Sequence, residues 1–181
     1  MHPKKKGIIM NKQSEISYDM DLVIDGMGIV LYSDGVVNDI EEGENYFSKE
    51  FSTPEQVAKH IKKGDIIGFN TGSSGSYSIK FRSGYPNEEI EQKFPISIRL
   101  AINVKGGKLS VIDLFWLMEW SNDCPIEQQL LIDDGIYHLT ISTVRPKSGT
   151  WGDNQDIYIH LNKLDEMPEL TWKGVPQLFT V

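Results

Sequence analysis

Only one of the 181 residues is a cysteine, Cys124. A lone cysteine forms neither an internal disulfide nor a cysteine metal site. No apolar run approaches the roughly 20 residues that span a bilayer. The N-terminus has no apolar signal-peptide core, so the cytoplasm is the simplest location. Basic residues are scarce: 18 Lys and Arg against 26 Asp and Glu leave a net charge of −8 and a pI near 5.0. A nucleic-acid-binding surface calls for a basic patch. The one dense basic run, Lys4-Lys5-Lys6, sits in a leader that carries no foldable pattern before Ile16. Direct nucleic-acid contact is therefore not expected. Met10 offers an alternative start, with Met1–Ile9 as an upstream extension.

Catalytic signatures are missing too. The histidines are His2, His60, His138 and His160. None shows the spaced pair with glutamate that zinc hydrolases carry on a helix. His138 and His160 fall in two late strand candidates, where a cross-strand metal pair stays open beside the plainer reading of two exposed polar residues. The TGSSGS run at 71–76 lacks the lysine and following Ser/Thr of a phosphate loop and leads into a strand. Asp153-Asn154-Gln155-Asp156 lacks the spaced ligands and terminal Glu of a calcium loop. No serine occupies a Gly-x-Ser-x-Gly elbow, and carboxylates are too plentiful to single out a glycosidase pair. No catalytic residue, metal or cofactor is expected, although an enzyme whose site assembles only in three dimensions stays open.

What is present is the composition of an ordinary globular chain, 39% hydrophobic and 24% charged. The length fits one domain, expected over 16–181 behind a disordered or loosely ordered leader at 1–15. A domain of this size buries roughly 70% of its unfolded surface, enough for a sizeable core. Tyr18, Met20, Leu22 and Ile24 alternate with Asp19, Asp21, Val23 and Asp25, the period of a half-buried strand. Gly26 and Gly28 then break the run, as at a bulge or hairpin. Phe94, Ile96, Ile98, Leu100 and Ile102 alternate in the same way. Further strands are expected at 66–69, 77–82, 127–132, 136–144 and 157–164, joined by Gly-, Asp- and Asn-rich turns. Residues 38–50 and 84–91 read as polar connections. One helix is marked: Thr53 as cap, Pro54 in the first position, Val57, Ala58 and Ile61 as apolar stripe, and Gly64 as stop. The expected fold is mainly β, an antiparallel β-sandwich with one short helix at about 54–63 packed on it.

Two features invite a binding role. The acids cluster at Asp39, Glu41, Glu42 and Glu44, at Glu88, Glu89 and Glu91, at Asp133 and Asp134, and at Asp153 and Asp156. Such clusters are either solvated loops or a negative face that steers a basic partner. The aromatic residues Phe115, Trp116, Trp120, Trp151 and Trp172 suit core packing, an interface, or a sugar platform. The candidate partner-binding residues are therefore Asp39, Glu41, Glu42, Glu44, Asp133, Asp134, Trp151, Asp153 and Asp156.

A family resemblance emerges from the strand signatures. A starting strand at Ile16–Tyr32 precedes a short helix ending in Gly64 and then Gly68-Phe69. Ile79, Phe81 and Arg82, Phe94-Pro95-Ile96 to Val104, and Leu109–Ile112 follow. Leu130 leads to Ile136-Tyr137-x-Leu139-Thr140, Thr143, Pro146 and Asp156-x-Tyr158-Ile159. From about Tyr18 to Leu164 this order resembles the bacterial DNA-entry nuclease inhibitor family, the competence protein J-like proteins. In that family a Gly-x-Tyr-x-Leu-Thr strand is similarly followed by an Asp-x-Tyr-Ile strand. This chain is longer, with extra residues at 35–50 and a distinct tail from Met167. The resemblance implies a non-enzymatic binding protein, an immunity-type inhibitor of a basic nuclease or toxin in a bacterial cell. Its acidic loops would imitate phosphates, and an aromatic anchor would fill a pocket of the enzyme. It assigns no functional residue. A sugar- or lipid-binding sandwich is the alternative.

Overall fold

The computed structural model describes residues 15–181. The leader expected at 1–15, all but its last residue, lies outside them, with Lys4–Lys6 and Met10. Among the described residues nine strands form two stacked sheets. The strands are β1 (Ser17–Ile24), β2 (Gly28–Ser33), β3 (Ile66–Asn70), β4 (Gly75–Ser83), β5 (Ile96–Val104), β6 (Lys108–Asp113), β7 (Gln129–Leu131), β8 (Gly135–Thr143) and β9 (Gln155–Leu164). The larger sheet has the order β1-β4-β9-β8-β5, and the smaller has β3-β2-β6-β7. The molecule is mainly β, as expected. Every pairing is antiparallel except β4 with β9, which run parallel.

The alternation read in the sequence sets the faces. Met20, Leu22 and Ile24 are buried while Val23 points to solvent. Ile98, Leu100 and Ile102 of β5, Leu139 and Ile141 of β8, and Ile157, Ile159 and Leu161 of β9 meet Ile29, Leu31, Ile67 and Val111 in one apolar cluster. The chain passes from one sheet to the other four times. The break at Gly26 is one of these corners rather than a hairpin, because β1 and β2 belong to different sheets. Its cause is the Asp113 carboxylate, which accepts from the backbone N–H of Asp25 at 2.8 Å and of Gly26 at 3.2 Å. A Cβ at Gly26 would lie 2.7 Å from Asp113 Oδ1, so the carboxylate sits where only glycine leaves room.

Helix α1 (Pro54–Lys63) packs against β3 and β5, the edge strands on one side of the sandwich. Thr53 and Gln56 form a capping box, and Gly64 ends the helix at φ +67. That is the local chemistry the sequence spelled out. A second, six-residue helix, α2 (Glu88–Lys93), occupies the stretch read as a polar connection. The segment around it crosses the outer face of the larger sheet, where Tyr85 meets His138 and Phe94 meets Tyr158. No helix among the described residues is long and apolar enough to cross a membrane.

The smaller sheet is covered on its outer side by two excursions. Residues 34–53 leave β2 and return through a π-helical turn at Phe47–Phe51. Residues 114–124 leave β6 through a 3-10 segment at Leu114–Met118. Phe51 lies over Gly68 and Leu114 over Gly28, so both glycines admit a neighbouring side chain onto the sheet.

Candidate functional site

The acidic loop Asp39–Glu44 is a tethered structure. Val37 and Ile40 are buried and pin its start. At its end the Gly43 N–H donates to the Trp120 carbonyl at 2.7 Å, and the Trp120 N–H donates to the Glu44 carbonyl at 2.9 Å. The Asn122 N–H donates to the Glu42 carboxylate. Glu44 accepts from the Glu41 N–H at 3.1 Å and pairs with Lys49 at 3.1 Å. The hydrogen bond from Lys49 holds the Glu44 carboxyl below its ordinary range. Asp39, Glu41 and Glu42 stay exposed.

The clamp depends on Trp120, which is 1% exposed and packs on Tyr32 with ring centroids 5.1 Å apart. Its Nε1 donates to Asn122 Oδ1 at 3.0 Å. Burial, followed by the nearby Cys124, pushes the Tyr32 hydroxyl far above its ordinary value, so the group is neutral. A cleft of about 270 Å³ opens beside this pair, lined by Tyr32, Asp34, Val37, Asn38, Trp120 and Asn122. Asp34 lines it, and the Glu42 carboxylate accepts from the N–H of Asn122, another lining residue.

The other acids divide between the two ends of the sandwich. Asp133 and Asp134 form the corner before β8, where Asp134 Oδ1 accepts from the Gly107 N–H at 2.7 Å. Lys108 in the next strand reaches Asp34 at 2.9 Å, and Gly35 N–H donates to the Lys105 carbonyl at 3.0 Å. Asp34, Asp133 and Asp134 thus sit around one turn, at the end where the acidic loop begins. Trp151, Asp153 and Asp156 lie at the opposite end, because β8 runs from Gly135 to Thr143 before the hairpin that carries them. Nine strand residues separate the groups by about 30 Å. Trp151 is half-buried under the Arg145 guanidinium, 5.1 Å from its ring centroid, and Asp156 faces Lys80 at 3.7 Å.

The tryptophans occupy separate places. Trp120 is core, and Trp116 is half-buried, donating to the Ser121 carbonyl at 3.0 Å. Trp172, in the tail, donates to the Arg99 carbonyl at 3.1 Å on β5. His138 and His160 are on adjacent strands, but their direct partners are Asn162 and Thr140. His138 bonds Tyr85 Oη at 3.0 Å, and His160 is 5% exposed. Burial lowers both pKa values, with Arg99 adding to the effect on His138 and Arg82 to that on His160. Among the described residues no three His, Cys, Asp or Glu side chains gather as metal ligands.

The sequence reading missed the role of His60, which it left without a partner histidine. The ring is 5% exposed, with Nδ1 2.9 Å from Asp65 Oδ1 and Nε2 3.2 Å from Glu50 Oε2. Phe51 stacks on it with centroids 5.1 Å apart, and Tyr46 Oη is 3.4 Å from Nε2. His60 thereby bolts the 34–53 excursion to α1. The only sequence signal was an acid on each side, Glu50 and Asp65, at separations that say nothing of contact.

No protein-family model matches the chain, and no curated protein matches it. Two solved structures share its fold. One is ComJ, the inhibitor of the DNA-degrading activity of NucA, from Bacillus subtilis: 12% identity, TM-score 0.52, covering 83% of this chain and 98% of that one. The other is described as crocagin biosynthetic gene J: 12% identity, TM-score 0.50, covering 81% and 97%. The distant resemblance read in the strand signatures is therefore a resemblance of fold: this chain's β-sandwich is similar to that of ComJ.

Proposed function

We propose that this chain is a non-enzymatic inhibitor that binds a DNA-degrading enzyme and blocks its substrate groove. The observation that carries the reading is the ComJ-like fold, which spans nearly all of that nuclease inhibitor. Charge supports it. Residues 1–14 hold four lysines and no acid, so the described residues carry a net charge of −12. An enzyme that grips DNA presents a basic groove. An acidic surface is drawn to it and occupies the phosphate positions. The clamped loop with Asp39, Glu41 and Glu42 is the best-built acidic element, because two backbone hydrogen bonds to Trp120 hold it ready for contact. A preorganised loop loses less entropy on binding than a free one. Inhibition is steric and electrostatic and needs no cofactor.

Fold alone leaves function open, since one fold carries many roles. The test is plasmid degradation by a panel of purified DNA nucleases, NucA among them, with the full chain added at equimolar amount. A cognate enzyme is expected to stop, and the block to weaken steeply between 50 and 300 mM salt. Full activity of every nuclease in the panel would remove the inhibitor reading.

A further inference from the structure

The outer side of the smaller sheet carries an apolar groove as well as the acidic loop. Its volume is about 290 Å³, and Met27, Phe47, Phe51, Val57, Leu114 and Val175 line it. Gly28 and Gly68, beneath Leu114 and Phe51, also line it. Met27 and Val175, which line it, are 52% and 36% exposed, and Phe115 and Met118 of the adjoining segment are 46% and 41% exposed. Phe115 abuts the Gly26 corner next to Met27. The 3-10 segment Leu114–Met118 runs from the groove to Glu119 and Trp120, where the acidic loop is clamped. Groove and loop are thus joined by one short element. Exposed apolar side chains at an apolar groove suit an interaction site.

The charge around the groove selects the occupant. The segments that carry its lining and the adjoining loop, 24–29, 38–57, 66–70, 112–124 and 173–176, hold ten acids and two basic residues, Lys173 and Lys49, the latter paired with Glu44. A second copy of the chain would bring like charges together, and a neutral ligand would make no use of them. We propose that the groove receives an apolar side chain from a basic segment of the partner protein, while the acidic loop holds the flanking Lys and Arg. This rests on the inhibitor reading above and reverses one part of the expected mechanism: the pocket is in this chain and the anchor is the partner's.

The test uses the full chain with 13C-methyl methionines, with Met27 and Met118 as reporters. The probes are synthetic 15-residue Lys/Arg-rich peptides with one central Phe, the same peptides with Ala at that position, and the same peptides with Glu for the basic residues. The Phe peptide is expected to shift the Met27 methyl, and binding to fall about tenfold or more with either control. Met27→Lys and Val175→Lys, both at exposed sites, are expected to reproduce that loss. Peptides that bind regardless of the central residue, or not at all, overturn the proposal. So does movement of the Met27 signal on deletion of residues 1–14 without peptide, because the chain's own leader then fills the groove. Nuclease inhibition separates the two readings. Equal inhibition by wild type and Met27→Lys sinks the groove and spares the inhibitor. Phe-dependent peptide binding with no nuclease inhibited supports the groove as a basic-segment site and sinks the inhibitor.

Discussion

Cys124 illustrates how far a single residue is legible. Its isolation in the sequence excluded a disulfide, but its surroundings came only from the fold: 9% exposed, close to Tyr32 and Ser110. Burial pushes its thiol above the ordinary value, which keeps it from the reactive thiolate form. Cys124 is therefore expected to resist iodoacetamide in the folded protein at pH 8 and to react fully in 6 M guanidinium; mass spectrometry reads both. Asp65 makes a second residue-scale case. Burial alone would raise its pKa, but the hydrogen bond and charge of His60, with the Ile66 N–H and Lys63, outweigh that and lower it from 3.8. A carboxyl whose folded value lies below its unfolded one adds stability above the unfolded pKa and loses it as pH falls through the folded one. Asp65→Asn is expected to destabilise the protein at pH 7 and to flatten the loss of stability below pH 3.8. Urea midpoints from pH 7 to 2.5 would show it, and parallel profiles for the two proteins would refute it.

Elements were legible where their punctuation is local. Helix α1 came out with its cap, first-turn proline and terminal glycine in place, because each acts within four residues of the backbone group it satisfies. Thr53→Ala is expected to cost about 1 kcal/mol, since the Gln56 N–H then loses its acceptor. A thermal or urea unfolding curve measures that, and a shift within error would mean the capping box adds nothing. Helix α2 escaped notice because its six residues, Glu88–Lys93, have one apolar side chain and no stripe. Its sequence signal is the Asn87 cap, whose side chain accepts from the Ile90 N–H at 2.9 Å. Gly26 and Gly28 announced a break in the chain. That the break is a corner between sheets depends on Asp113, some ninety residues away.

For the whole molecule, charge is the most portable property, and its distribution is not. The eight acidic candidates looked alike in the sequence, yet strand direction sends Asp153 and Asp156 to one end and Asp133 and Asp134 to the other. If the clamped loop meets the partner, Glu41→Lys with Glu42→Lys is expected to slow association with the cognate nuclease about tenfold at low salt. Asp153→Lys with Asp156→Lys, at the far end, is expected to change the rate less than about threefold. Stopped-flow association rates distinguish them, and equal effects would show that net charge rather than the loop does the steering.

By itself the sequence determined the periodicities, the marked helix, the acidic balance and the sandwich class. These rest on interactions between near neighbours and on which side chains avoid water, both of which are written locally. The tertiary structure alone decided the parallel β4–β9 pair, the bolt at His60, the clamp of the acidic loop on Trp120, and the apolar groove beside it. The strand pair, the clamp and the groove join residues distant in sequence, and the bolt, whose partners are 5 and 10 residues from His60, needs the 34–53 excursion folded back onto α1. No local pattern in the chain encodes such a meeting, because the free energy that favours it exists only once both partners have been brought together.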